Sequence, residues 1–296
     1  IVQINSMGRD AMSYTSNLLA IIDAIPIDIN GEDIWPIIVA AGKGTRASAS
    51  GLDVAKPLAL VQGKPAIVHV LENIRSSLPK TRPPVVIVSS ETRDAVSEVL
   101  RGEEVLLVLQ PEALGTGDAV LHAHKEIGDF AGLALVVWST QPVIRPNTFL
   151  RTYKLARLFD HLKMVMPTTF RNQPYAPIQR DQSGNVVCSK ETHLEGAEVI
   201  EFGETNIGLF VLKGQAMFDV LDELRRRHWD ESTGLYSRPK GELGFPNELV
   251  NTLAPRKNGV FACPIADSRE EQGIKRLEDV AKCENFIAEL EAEQKQ

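Results

Sequence analysis

Two cations, Arg46 and Lys56, follow a glycine-bearing turn in the stretch IIVAAGKGTRASASGLDVAKPLALVQGKPAIVHVL. Such residues suit the binding of a polyanion. Gly42 and Gly44 permit positive φ and close backbone approach, so amide N–H groups can point at phosphate oxygens. Arg46 offers a planar fork and Lys56 a compact point charge. The chemistry implied is the grip on a nucleoside triphosphate. Two better-known phosphate motifs fail on spacing. No GxxxxGK[ST] string occurs, and the third glycine of a GxGxxG fingerprint would fall on Ala47, with no helix expected directly after the turn.

Elements that would position this turn are legible around it. Apolar runs at Ile37–Ala40, Val85–Ser89, Val105–Leu109 and Leu133–Trp138 read as strands. Amphipathic stretches near Pro65–Leu78, Thr92–Leu100 and Gly117–Ile127 read as helices between them. That alternation predicts an α/β fold, a Rossmann-like doubly wound and mostly parallel sheet. Ligands of such sheets sit at the carboxyl ends of the strands, where the Gly42 turn and the loop from Gln110 to Gly117 would emerge. After Pro167 the texture changes to short pieces (Ala176–Arg180, a Ser183-Gly184-Asn185 turn, Val186–Ser189), expected to form an antiparallel insertion beside the cleft. Asn206–Leu212 reads as a return to a core strand, Gln215–His228 as a helix, and Ile274–Glu293 as a closing charged helix.

Five segments, in order, carry a resemblance to a known family. AAGKGTR with KPL, QPEALGTGDAVLHA, PYAPIQRDQSGNVVCSKE, ETNIGLFVL and KGELGFPNELV resemble the sugar-1-phosphate nucleotidyltransferases. Within that family the chain is most similar to the uridyltransferase domain of bifunctional N-acetylglucosamine-1-phosphate uridyltransferases. The resemblance runs from about Trp35 to the C-terminal helix, and QxxxLGTG is the most specific of its later motifs. It implies the nucleotide-diphospho-sugar transferase fold, with the antiparallel insertion binding the sugar. It also implies a reaction: a sugar-1-phosphate oxygen attacks the α-phosphorus of a nucleoside triphosphate, with UTP expected, and pyrophosphate leaves. Such catalysis is alignment plus stabilisation of charge on phosphoryl oxygens.

The resemblance assigns roles residue by residue. Ala40, Ala41, Gly42, Lys43, Gly44 and Thr45 are assigned to nucleotide binding, the turn holding the triphosphate, and Arg46 and Lys56, which neutralise it, are the catalytic pair. Nine residues, ASASGLDVA, separate these two cations; this is longer than the family's spacing, and their small side chains suggest a flexible detour. Gln110 with Gly115 and Thr116 matches the pyrimidine reader, the glutamine amide being both donor and acceptor. Thr116 and Asp118 are equally candidates to cap the following helix. For the sugar the implied contacts are Ala176, Glu191 and Asn206.

Mg²⁺ is the cofactor the family leads one to expect, yet its two ligand positions depart from the pattern. The aspartate of LYGDxPL falls on Thr140 in VWSTQPV, and an asparagine ahead of QGE falls on Arg238. A threonine hydroxyl is a weak neutral ligand and a guanidinium cannot coordinate a cation. A second reading therefore stays open, a catalytically reduced domain that binds a nucleotide or nucleotide-sugar for regulation. A dinucleotide-dependent oxidoreductase is disfavoured by the missing GxGxxG.

Bulk properties narrow the setting. A chain of 296 residues with 43% hydrophobic side chains can bury a sizeable core. No stretch approaches the ~20 apolar residues that span a bilayer, and a net charge of −7 argues against a general nucleic-acid surface. Cys188, Cys263 and Cys283 lie far apart, which fits free thiols and a cytoplasmic location. None of the histidines (His69, His122, His124, His161, His193, His228) falls in a metal or triad pattern. The expected division is a helical extension over 1–34, a nucleotidyltransferase domain over 35–265 and a C-terminal helix over 266–296. In the extension, Met12, Leu18, Leu19, Ile22 and Ile25 share a helical face. The chain starts on Ile rather than Met, as a processed or excised piece would. No hexapeptide repeat follows the last helix, so the acetyltransferase half of the bifunctional relative is expected to be absent. Oligomeric state, including a possible homo-oligomer, stays open.

Overall fold

The computed structural model describes residues 7–27, 33–42, 44–192 and 198–295, without the side chains of 7–15 and of Arg46. Lys43, His193 and the Met12 side chain thus lie outside the described residues. The chain opens with helix α1 (Met7–Ala24), strand β1 (Ile34–Val39), a short helix α2 (Thr45–Ala49) and α3 (Ala66–Ser77). Then come β2 (Val85–Ser89), α4 (Arg93–Val99), β3 (Leu106–Gln110), α5 (Thr116–Ile127) and β4 (Leu133–Trp138). Helix α6 (Pro146–Leu158) leads into the long strand β5 (Met164–Asn172), the hairpin β6 (Ile178–Arg180) and β7 (Val186–Ser189), then β8 (Phe202–Asn206) and β9 (Leu209–Lys213). Helices α7 (Gly214–His228) and α8 (Pro246–Leu253), strand β10 (Val260–Cys263) and helix α9 (Glu278–Gln294) complete it.

Eight strands form the main sheet in the order β8-β5-β9-β4-β1-β2-β3, with β10 paired to β5. β1 runs parallel between β4 and β2, and β2 parallel to β3. β9 returns antiparallel between β4 and β5, where β8 is antiparallel and β10 parallel. The expected Rossmann-like α/β sheet with an antiparallel insertion is what the chain forms. Side chains alternate across β1: Trp35, Ile37 and Val39 enter one core with α5, α7 and α8, while Ile34, Ile38 and Ala40 enter a second with α3 and α6. Both faces are covered, which is why the strand reads as an unbroken apolar run. Helix α1 joins the second core through Ile22, only 1% exposed, with Leu18 and Leu19 against it. Lys154 donates to the carbonyls of Ile22 and Asp23 at 3.2 and 2.7 Å, satisfying the C-terminus of α1.

Four local expectations are corrected. A helix does begin directly after the glycine turn: Gly44, at φ 68°, aims its carbonyl at the N–H groups of Ala47 and Ser48 and so starts α2. The detour before Lys56 is packed, since Ala47 and Leu52 are buried in a third core with Ile274 and Cys283 of the C-terminal region. The strand expected over Asn206–Leu212 is broken, because Gly208 turns the chain at φ 81° between β8 and β9. Helix α9 starts at Glu278, because Asp279 accepts from the N–H groups of Lys275 and Arg276 at 2.9 Å each and ends the preceding extended segment. Among the described residues no helix is long and apolar enough to cross a membrane.

Candidate active site

A cleft of about 300 Å³ opens at the carboxyl ends of β1 and β3. Ala41, Gly42, Gly44, Thr45, Lys56, Gln110, Gly115 and Thr116 all line it. Ala40 does not: it is 3% exposed, and its N–H donates to Ile87 as the sheet continues. Lys56 sits at the start of a 3-10 turn, Lys56–Leu58. Its Nζ lies 3.7 Å from where a Cβ on Gly42 would project, so the packed detour returns the ammonium to the glycine turn. The side chain of Arg46 and all of Lys43 lie outside the described residues.

On the opposite wall the Gln110 loop is fastened from afar. Leu243 N–H donates to Leu114 at 2.8 Å, Gly117 N–H donates to Leu243 at 2.8 Å, and Phe245 N–H donates to the Thr116 hydroxyl at 2.9 Å. A Cβ on Gly115, which adopts φ 104°, would lie 2.2 Å from the Leu243 carbonyl oxygen, so glycine is required there. Neither Thr116 nor Asp118 caps α5; its N-cap is Gly115, without a side-chain cap. Thr116 is spent on Phe245, and Asp118 turns inward.

Asp118 is 5% exposed and accepts from Gln110 Nε2 at 2.8 Å and from the Tyr236 hydroxyl at 2.8 Å, with His122 Nε2 at 3.5 Å. Burial pushes its carboxyl pKa up, but hydrogen bonds from His122, Gln110 and Tyr236 outweigh this and hold it below the ordinary aspartate value. The Tyr236 phenol is pushed well above its usual value, first by burial and then by donating to Asp118. Gln110 Nε2 also donates to the Gly115 carbonyl at 3.1 Å. Both of its partners are acceptors, so the nitrogen must face them. Gln110 therefore keeps its carbonyl oxygen for a ligand, not the donor-acceptor pair expected from the sequence.

A smaller compartment of about 140 Å³ adjoins the cleft through Thr116, Tyr175, Glu191 and Pro246, which line both. Ala176, Glu191 and Asn206 all line it. The Glu191 carboxylate accepts from the Tyr175 hydroxyl at 2.7 Å. Asn206 Oδ1 accepts from Gly208 N–H at 3.1 Å, which leaves the amide nitrogen as its donor for a ligand. The Ala176 carbonyl accepts from the Thr205 hydroxyl at 3.2 Å. The hairpin of β6 and β7 is pinned to the sheet by Arg180, which grips the Glu204 carboxylate through Nε and Nη2 at 2.7 Å each. Sequence reading missed Tyr175 and Lys240 as lining residues, although both fall inside quoted motifs. Lys240 carries a signal of its own only in the fold: it is a non-glycine residue at φ 61° on the cleft wall.

The two metal positions do not fit a divalent cation. Arg238 has its guanidinium engaged by Glu248 at 2.9 Å and by His228 at 2.8 Å. Burial and the neighbouring positive charge of Arg238 hold His228 below the usual imidazole value. Thr140 has a different neighbour: its carbonyl accepts from Ile274 N–H at 2.9 Å. Thr140 thus meets the segment before α9 through its backbone, and a neutral hydroxyl and an ion-paired guanidinium are the two groups at the family's ligand positions. Among the described residues no group of three or more His, Cys, Asp and Glu side chains could hold a metal ion.

A family model described as nucleotidyl transferase matches residues 35–188. The bifunctional protein GlmU of Pelobacter propionicus is 27% identical over 258 residues, which cover 86% of this chain and 52% of that protein. GlmU of Exiguobacterium sibiricum is 32% identical over 212 residues, covering 69% of this chain and 44% of that one. The chain spans about half the length of the curated relatives it matches. A crystal structure of 4-diphosphocytidyl-2C-methyl-D-erythritol synthase from Anaerococcus prevotii superposes with a TM-score of 0.59 at 14% identity, over 88% of this chain and 98% of that one. At that identity the likeness speaks for the fold.

Proposed function

The chain belongs to the nucleotidyl transferase family, and on that premise we propose that it joins a nucleoside triphosphate, UTP by preference, to a sugar-1-phosphate and releases pyrophosphate. The observation that carries this reading is the convergence of Gly42, Gly44, Thr45, Lys56, Gln110 and Thr116 on one cleft that opens into the Glu191–Asn206 compartment. A triphosphate would lie along the glycine turn with Lys56, and with Arg46 and Lys43 by the family's assignment. Lys240 would add positive charge from the far wall. A base in the cleft would meet the Gln110 carbonyl oxygen, which accepts an N–H such as that at N3 of uracil. Glu191 would accept sugar hydroxyls, and Asn206 would donate from its amide. The chain's part in the chemistry is to hold the two phosphates in line and to neutralise the charge that develops on them.

Residues 35–265 would form the nucleotidyltransferase domain, with 1–34 as an extension and 266–296 as a closing segment. The free cysteines suit a cytoplasmic setting. The deciding experiment is pyrophosphate release with all four nucleoside triphosphates against a panel of sugar-1-phosphates, with and without Mg²⁺. Turnover with any pair supports the transferase. Tight binding of UTP or a UDP-sugar without turnover supports the catalytically reduced reading instead, which the chemistry of Thr140 and Arg238 favours.

A further inference from the structure

The smaller compartment contains a cation that no role above uses. Among the described residues lining it, Lys275 is the single positively charged side chain. Its Nζ lies 4.7 Å from the centre of the Tyr175 ring and 3.4 Å from Glu271 Oε1. Glu271 is 5% exposed and is also in contact with Arg171 Nη1, so one carboxylate is shared by two cations. Lys275 is the cationic member of this group on the compartment wall, which Glu271 and Glu191 also line.

The backbone around Lys275 is fixed from three sides. Ile274 N–H donates to Thr140 at 2.9 Å, and Lys275 N–H donates to Asp279 Oδ2 at 2.9 Å. The turn just before it is anchored by Glu270, fully buried, which accepts from Arg145 N–H at 2.8 Å and from the Thr148 hydroxyl at 2.7 Å. Tyr175 then links the two ends of the compartment, its ring under Lys275 and its hydroxyl on Glu191. A ligand with a phosphate at one end and hydroxyls at the other matches that polarity.

We propose that Lys275 holds the phosphate of the acceptor sugar phosphate, supplying from a side chain positive charge for which Thr140 and Arg238 provide no cation site. This rests on the transferase reading above, and the test separates the two. Calorimetry and steady-state kinetics on the intact chain would use UTP, glucose-1-phosphate and N-acetylglucosamine-1-phosphate, with unphosphorylated glucose as a control, in EDTA and in Mg²⁺. In Lys275→Gln the sugar-phosphate Kd or KM is expected to rise about tenfold or more, the loss of one charge-assisted contact. UTP affinity should stay within about twofold, and Lys275→Arg should restore most of the loss. The side chain is 37% exposed, so folding is expected to survive and is checked by thermal unfolding. Wild-type sugar-phosphate binding in Lys275→Gln would overturn the assignment while leaving the transferase reading intact. So would wild-type acceptor binding that vanishes in EDTA. If the wild type neither binds nor uses any sugar phosphate, the transferase reading itself fails.

Discussion

Replacing Asp118 by Asn removes a buried charge while keeping shape, and the structure gives the size of the effect. Two well-formed bonds reach the carboxylate, from Gln110 Nε2 and from the Tyr236 hydroxyl at 2.8 Å each. Bonds to a charged group contribute about 1.5–3 kcal/mol and neutral ones about 0.5–1.5, so weakening both costs about 2 kcal/mol. An amide is cheaper to bury than a carboxylate, which offsets part of this. A net loss of about 1–2 kcal/mol at pH 7 is expected from urea unfolding. The pH dependence follows from the lowered carboxyl pKa of the folded state. Its stabilisation is complete well above the unfolded value of about 3.9 and is lost as pH falls through the lower folded value. The gap between wild type and Asp118→Asn should therefore close in acid. Function should move too, because an asparagine can offer Gln110 either an oxygen or a nitrogen. Only the Gly115 carbonyl would then hold the Gln110 nitrogen in place, so its orientation should loosen and discrimination among the four nucleoside triphosphates should narrow. A variant as stable as the wild type at pH 7, with the same base preference, would refute the claim that this carboxylate orients Gln110.

Other outcomes follow from particular contacts. Lys56→Ala should weaken triphosphate binding by about tenfold or more, a charge-assisted contact being lost, with thermal unfolding little changed; fluorescence or calorimetric titration with UTP measures it. Gly115→Ala should cost about 3 kcal/mol in denaturant unfolding, from the positive φ and from disturbing the bonds between Leu114, Gly117 and Leu243. Thiol titration of the native protein should find Cys188 reactive and Cys263 and Cys283 silent until unfolding, since the latter two are buried and burial pushes their thiols up to about 11 and about 12.

Much of the nucleotide half was legible because its signals are local. β1, β2 and β4 are β-branched runs bounded by turn residues, and the glycine turn follows one of them directly. What the sequence did not disclose came from partners distant along the chain. Asp118 reads as a helix cap from its position in the first turn of α5, but a hydroxyl 118 residues away, on Tyr236, draws it inward. Nothing local to Arg238 reveals that its guanidinium is held by His228 and Glu248, ten residues away on either side. Lys275 sits in an unremarkable charged stretch, and only the anchoring of Glu270 and the bond to Thr140 bring it to the compartment wall. The detour before Lys56 looked loose because small residues suit flexible loops as well as tight packing, and only contact with the C-terminal helix decides between them.

The bonds that tie Leu114, Thr116 and Gly117 to Leu243 and Phe245 bear on how this protein can be made and divided. The loop from Gln110 to Gly117 belongs by sequence to the first half of the chain, within the stretch matched as nucleotidyl transferase. Its shape is imposed by residues that leave the ribosome much later. During synthesis the glycine turn and its strands can assemble before the opposite wall of the cleft has anything to lean on. A piece ending near residue 188 would carry the family signature and still lack a finished cleft. Activity should therefore appear late in translation, and split versions should work only when both pieces are present together.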